Sequence, residues 1–161
     1  KKVAHITVAL ATQAAADRFE GYKNALEKNK IPVDENLIFR TDYSRGQARA
    51  AAEKMLSSKD PASAVFVASD AMALEVMAVA RETGRQLPRD LSIVGFDDNP
   101  SALYGPVALT TVRQPLVTMA QEAVKQLNNL INKKKETAVK KIFLPTELVI
   151  RDSCQEISRK S

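Results

Sequence analysis

The chain alternates between two hydrophobic periods. VAHITVAL (3–10) is a mainly apolar, β-branched run, which predicts a buried strand. Over residues 14–29 the spacing changes: Phe19, Tyr22, Ala25 and Leu26 share one helical stripe, and Pro32 follows it. ENLIFRTD (35–42) predicts a second strand. Ser44, with Gln47 three positions on, has the form of a capping box, and Ala48, Ala51, Met55 and Leu56 extend it as a helical face. SAVFVAS (63–69) predicts a third strand. The helix that opens at Asp70 carries the stripe Ala73, Val76, Met77 and Ala80, with Gly84 suited to its C-terminal cap. LSIVGF (91–96) is a fourth strand and LTTVRQP (109–115) a further extended piece. Leu116, Ala120, Ala123, Leu127 and Leu130 mark a long helix. IFLPTELVI (142–150) is a last strand in which Pro145 favours an edge or a crossing.

Strand–helix alternation as far as residue 96 predicts an α/β fold, a doubly wound, mainly parallel sheet with helices on both faces. Right-handed crossovers then bring the carboxyl ends of the first four strands to one edge. Just past those ends lie Thr12 and Gln13, with Arg18 in the next helix; Asp42, Tyr43 and Ser44; Ser69 and Asp70; and Asp97, Asp98 and Asn99. Open α/β sheets bind ligands in the crevice outside that edge. Carboxylate, hydroxyl, guanidinium and one aromatic ring suit a polyhydroxylated or otherwise polar small molecule. Each residue also has a purely structural reading. Ser44 and one of Ser69 or Asp70 can serve as helix caps, Arg18 can pair with Asp17 or Glu20, and the two carboxylates can form a plain turn.

Composition narrows the choice. With 161 residues, 45% of them apolar, the chain is long enough for one globular core. Its single cysteine, Cys154, has no internal partner and fits a reducing compartment. The net charge of +5 is concentrated at Lys133-Lys134-Lys135, Lys140-Lys141 and Arg159-Lys160, a pattern of loops and a tail rather than a basic helical stripe; it gives little support to nucleic-acid binding by this chain alone. No apolar run is long enough to span a bilayer, and His5 and Thr7 break the N-terminal stretch as a signal peptide. The chain does not begin with Met, which is expected of a piece of something longer. Enzyme fingerprints are missing: there is no GxGxxG, P-loop or GxSxG, and no metal-ligand spacing. The lone His5 lies within a predicted strand and reads as core. A Mg²⁺-dependent phosphoacceptor would need its acidic pair after the first strand; here the pair follows the fourth. The expectation is a binding protein, not an enzyme, with no cofactor and no metal.

VFVASDAMALEVMAVARETGRQLPRDLSIVGFDDNPSALYGPVALTTVRQPLVTMAQEAVKQL, followed by LPTELVIRDS and preceded by RFEGYKNAL, closely resembles the C-terminal half of the lactose-repressor/galactose-repressor transcription factors. The resemblance covers nearly the whole chain. It implies a partial periplasmic-binding-protein-like core of type I, with 1–112 as the C-terminal effector-binding subdomain. Residues 113–141 would then be a crossover segment and helix belonging to the N-terminal subdomain, 142–153 a returning strand, and 154–161 a tail. It further implies that Arg18, Tyr43, Ser69, Asp97 and Gln114 contact a ligand, that Arg113 lies near the cleft, and that Asp98 braces the turn. Leu74, Met77, Leu103 and Tyr104 would lie in a homodimer interface. The sequence departs from the family at VALAT, which has no glycine after the first strand; at Glu75, where a small residue is usual; and at Ser69, which has a short reach. The implied function is sensing of an effector, a sugar or sugar phosphate, and dimerisation in a cytoplasmic bacterial transcriptional regulator, a repressor, that touches operator DNA only through a headpiece preceding this segment. The alternative is a free-standing sugar-binding protein of a transport system.

Overall fold

The computed structural model describes residues 2–9, 12–132 and 141–156; the Lys133-Lys134-Lys135 run, Lys140 and Arg159-Lys160 lie outside the described residues. Six strands form one sheet: β1 (Val3–Val8), β2 (Ile38–Thr41), β3 (Ala64–Val67), β4 (Ser92–Asp97), β5 (Thr110–Arg113) and β6 (Glu147–Val149). Their order is β2-β1-β3-β4-β5-β6. The first five are parallel; β6 runs antiparallel to β5, pairing Val112 with Leu148 and Arg113 with Glu147. The last strand lies at an edge, one of the two placements expected, but it spans only Glu147–Val149 and not 142–150; Pro145, which has no amide hydrogen to pair, lies ahead of it.

Four helices connect or follow the strands: α1 (Gln13–Lys28), α2 (Arg45–Leu56), α3 (Asp70–Glu82) and α4 (Leu116–Ile131). Three starts are capped by hydroxyls. Thr12, Ser44 and Ser69 accept from the backbone N–H of Ala15, Gln47 and Met72. Gly84 ends the α3 segment at φ 74, a left-handed conformation in which glycine carries no Cβ penalty.

Alternation along each strand divides the core in two. Ala4, Ile6, Val65, Val67 and Ile93 face α2 and α3, and with Met55, Met72, Val76 and Met77 form the main buried cluster. On the other face Tyr22 and Leu26 of α1 pack on Ile38, beside Phe19 and Phe66. His5 is fully buried there, stacked at 4.9 Å on both Phe66 and Tyr22. Its Nδ1 donates to the Phe66 carbonyl at 2.9 Å, which leaves the Nε2 lone pair buried without a partner. Burial drives its pKa down to about 4, so the ring is neutral. The core reading of His5 holds.

Three local expectations are corrected. The second strand starts at Ile38, not at residue 35: Asp34 accepts from Asn36 N–H and winds Glu35–Leu37 into a 3-10 turn. Ala25, placed on the buried stripe of α1 by its spacing, is exposed because α1 covers only part of the sheet face. Met77, a candidate for the dimer interface, is fully buried in the chain's own core, with its sulfur beneath Gly105. Glu75, unexpected at its position, is held by Arg45 Nη2 at 2.5 Å across the α2–α3 contact. The predicted stripe of α4 is present, but none of its residues is buried; Leu116, Val124, Leu127 and Leu130 are all exposed.

Candidate functional site

The carboxyl ends of β1 to β5 share one edge, and the polar residues singled out by sequence arrive there in strand order. Tyr43 follows β2, Arg18 reaches over from α1, Ser69 follows β3, Asp97 ends β4 and Gln114 follows β5. Arg18 is the centre of the row. Its Nη1 lies 3.5 Å from the Tyr43 hydroxyl and 3.4 Å from the Ala68 carbonyl. Its guanidinium carbon sits 3.9 Å above the centroid of the Phe96 ring, a cation–π stack. Neither Asp17 nor Glu20 holds it: Asp17 accepts from Gln13, and Glu20 pairs with Lys23. Its donors therefore stay directed at the sheet edge.

Asp97 and Gln114 close the other end. Gln114 Nε2 donates to Asp97 Oδ1 at 2.8 Å. The Asp97 carboxyl is held above the usual carboxylate range, first by burial and then by the nearby charge of Asp70, against the pull of Arg18 and the Gln114 hydrogen bond. Among the described residues Arg18 and Asp97 share no direct hydrogen bond. They act on each other through space, the charge of Arg18 lowering the Asp97 carboxyl. Ser69 is nearly buried and its Oγ is committed to capping α3 at 3.4 Å from Met72 N, so of the five it has the least to offer a ligand.

The two neighbouring carboxylates have separate tasks. Asp98 turns from the edge and accepts from Arg113 Nε at 2.6 Å and Arg151 Nη2 at 2.5 Å. Arg113 also reaches Glu147 at 3.2 Å, which ties the end of β5 to β6. Burial pushes the Asp98 carboxyl up, but the two guanidiniums outweigh it and the net direction is down. Asp97 and Asp98 sit at φ 116 and φ 56, and Tyr43 at φ 68. Left-handed backbone at residues other than glycine costs about 1–3 kcal/mol each, a strain that concentrates where side chains must be aimed.

Four residues that shape this edge have no specific role assigned by the sequence. By pattern Phe96 is strand, Asp70 one of the polar residues past the third strand or a helix cap, Thr111 part of an extended piece, and Arg151 part of the returning segment. Gly95 was the available signal. A glycine inside an apolar strand marks close approach by another group, and here a Cβ at Gly95 would lie 2.4 Å from Asp70 Oδ1.

Below the rim, along α1, runs an open groove of about 620 Å³ lined by Ala14, Tyr22, Phe66, Phe96 and Val112, with Arg18 and Gln114 among its lining residues. Tyr43, Ser69 and Asp97 do not line it. Its walls are mainly apolar because α1 covers β1 and β2 but leaves this face of β4 and β5 bare. The groove and the polar row therefore share Arg18 and Gln114, while Tyr43, Ser69 and Asp97 stand outside the groove.

Comparison with known proteins agrees with this architecture. Residues 1–154 match the periplasmic binding protein-like domain. The transcriptional regulator MalR of Clostridium butyricum is 41% identical over 140 residues, which are 87% of this chain and 41% of MalR. The transcriptional repressor PurR of Vibrio atlanticus is 32% identical over 98% of this chain and 47% of PurR. Among solved structures, the transcriptional regulator CelR in complex with cellobiose superposes with a TM-score of 0.89 at 32% identity, covering 94% of this chain and 46% of that one. CcpA of Lactococcus lactis gives 0.87 at 30% identity, over 96% and 56%. The chain thus spans less than half the length of these curated relatives. By sequence and by fold it belongs to the periplasmic-binding-protein-like domain family, in the form that domain takes in LacI-family transcriptional regulators.

Proposed function

We propose that this chain is the effector-sensing and dimerisation region of a cytoplasmic transcriptional regulator of repressor type. Its effector is a small polyhydroxylated molecule, a sugar or sugar phosphate. The observation that carries the reading is the row Tyr43–Arg18–Asp97–Gln114 along the carboxyl edge. A guanidinium stacked on Phe96 and a carboxylate held by an amide stand along the same sheet edge, near enough for the charge of Arg18 to act on Asp97. Such a pair takes hydroxyl groups from both sides, one side donating and the other accepting. The role requires binding and a shift between subdomain arrangements, with no bond made or broken.

In this reading residues 1–112 form one wall of the cleft, 113–141 cross to the other subdomain, and 142–153 return. The exposed stripe of α4 supports the crossing, since an amphipathic helix with no buried residue is built to meet a surface elsewhere. Operator DNA would be met through a headpiece outside this segment. The homodimer would use the surface around Leu74, Leu103 and Tyr104; the last two are 53% and 83% exposed. The curated relatives are regulators, which favours this role over a transport binding protein.

The test is a thermal-shift and calorimetric screen of the full-length regulator against maltose, cellobiose, glucose 6-phosphate and nucleobases. A saccharide that raises the unfolding temperature and binds stoichiometrically supports the reading. Binding of a nucleobase alone would replace the sugar assignment, and binding of none would overturn it.

A further inference from the structure

We infer that Asp70, together with Thr111, is a positioning pair that clamps the strained turn after β4 and so aims the Asp97 carboxylate at its ligand, an inference that rests on the effector-binding reading above. Asp70 is the first residue of α3 and is fully buried. An acidic residue there would ordinarily stay at the helix end, beside the free N–H groups and water. Ser69 already accepts from Met72 N, and the Asp70 side chain instead leaves its helix and crosses beneath β4. Its Oδ1 accepts from Thr111 Oγ1 at 2.5 Å, and its Oδ2 accepts from Asn99 N at 2.7 Å. Thr111 Oγ1 in turn lies 3.4 Å from Asp98 N, which donates to it.

The pair therefore receives the backbone N–H groups of both residues that follow Asp97. Asp97 and Asp98 are the two consecutive non-glycine residues at positive φ, so the turn does not hold itself. The clamp needs a glycine in β4, because the carboxylate passes where a side chain at Gly95 would stand. A Cβ on Gly95 would stand 2.4 Å from Asp70 Oδ1 and 2.8 Å from Leu109 Cδ2. Without the clamp the turn relaxes toward ordinary right-handed backbone, and the Asp97 carboxylate swings away from Gln114 Nε2 and from the row it completes.

The test uses the full-length regulator with Thr111→Val, Thr111→Ser and Asp70→Asn, each titrated calorimetrically with cellobiose, maltose and glucose 6-phosphate, together with amide hydrogen exchange at Asp98 and Asn99. Thr111→Val is expected to weaken saccharide binding about tenfold or more, while the unligated protein keeps its operator affinity, because a lost hydrogen bond to a charged group carries that factor. Thr111→Ser, which restores the hydroxyl, is expected to return binding to within about twofold of the parent. Asp98 and Asn99 amides are expected to exchange about tenfold faster in Thr111→Val. If Thr111→Val does not fold, Asp70→Asn takes its place with the same expectations, since an amide keeps the shape and one acceptor. A folded Thr111→Val or Asp70→Asn protein that binds saccharide like the parent, or protects both amides like the parent, overturns the inference. A parent that binds neither these sugars nor glucose 6-phosphate overturns the effector reading instead, and the amide exchange still decides whether the clamp exists.

Discussion

Gln114 donates its amide N–H to the Asp97 carboxylate across 2.8 Å, joining the residue that ends β4 to the one that follows β5. Gln114 lies just past the last parallel strand, where the chain leaves this sheet for α4. One hydrogen bond thus connects the proposed ligand carboxylate to the proposed crossing point. On the proposed reading, a ligand that recruits Asp97 would compete for, or extend, that bond, which would give occupancy a route to the relative placement of the two subdomains.

Asp97→Asn in the full-length regulator preserves an oxygen that can accept from Gln114 but removes the charge offered to ligand hydroxyls. Saccharide affinity should fall by about 10–100-fold, the span expected for hydrogen bonds to a charged group. Operator affinity without effector should not change. Calorimetry and an operator-binding titration measure the two separately, and unchanged saccharide binding would remove Asp97 from the site.

Asp98→Ala should act on stability. Arg151 is mostly buried, with 15% of its side chain exposed, and would be left without its carboxylate, whereas the more exposed Arg113 keeps Glu147. We expect a loss of about 2 kcal/mol, discounted from the cost of breaking a fully buried pair because Arg113 reaches solvent. The sign with pH follows from the lowered Asp98 pKa. Its contribution is complete above the ordinary carboxylate value and is lost as pH falls through the lower folded value. Urea unfolding of parent and variant should therefore converge in strong acid.

His5 gives a second and separate acid dependence. Its pKa is near 6.5 when unfolded and about 4 when folded, because burial disfavours the charged ring. The unfolded chain takes up a proton first, so stability is complete above pH 6.5, declines as pH falls toward about 4 and levels off below it. The total is about 3 kcal/mol. His5→Phe keeps the stack on Phe66 and Tyr22 and should flatten this interval of the pH profile, as read by denaturant unfolding at a series of pH values.

Gly95→Ala places a methyl carbon into the Asp70 carboxylate and the Leu109 side chain. Leu109 can shift, but Asp70 is anchored from two sides. A cost of about 2 kcal/mol is expected, or roughly 4–8 °C in thermal midpoint. A scan showing no change would mean that the carboxylate does not lie against β4.

Local pattern carried the sequence reading as far as local physics reaches. The strands centred on Ile6, Val65 and Ile93 were legible because β-branched runs have few alternatives. Ser44 and Thr12 differ in the same terms: Ser44 announced its cap through Gln47, whereas Thr12 caps α1 with no such partner. Glu35–Leu37 was misread because the Asp34 to Asn36 hydrogen bond competes with an apolar run that looks extended. Ala25 is exposed where its spacing predicts a buried stripe, because periodicity gives the face of a helix but not how much of that face a neighbour covers. Met77 follows its periodicity into the core; only the family resemblance puts it at a dimer interface. The position of Asp70 past the third strand is legible, but its task is not. Its partners are 29 and 41 residues away, a separation no local pattern encodes. The resemblance to a known family supplied Arg18, Asp97 and Gln114 together; spacing alone offered Arg18 and Asp97 only among other polar residues past the strand ends.

The sheet terminates on either side in short strands, the four residues of β2 and the three of β6. Pro145 lacks an amide hydrogen just ahead of β6, and Glu147 places a charge on the border itself. Borders of this kind resist the addition of a further strand from another molecule. Open-ended stacking of backbones is thereby disfavoured, and the proposed homodimer would have to form through side-chain contacts.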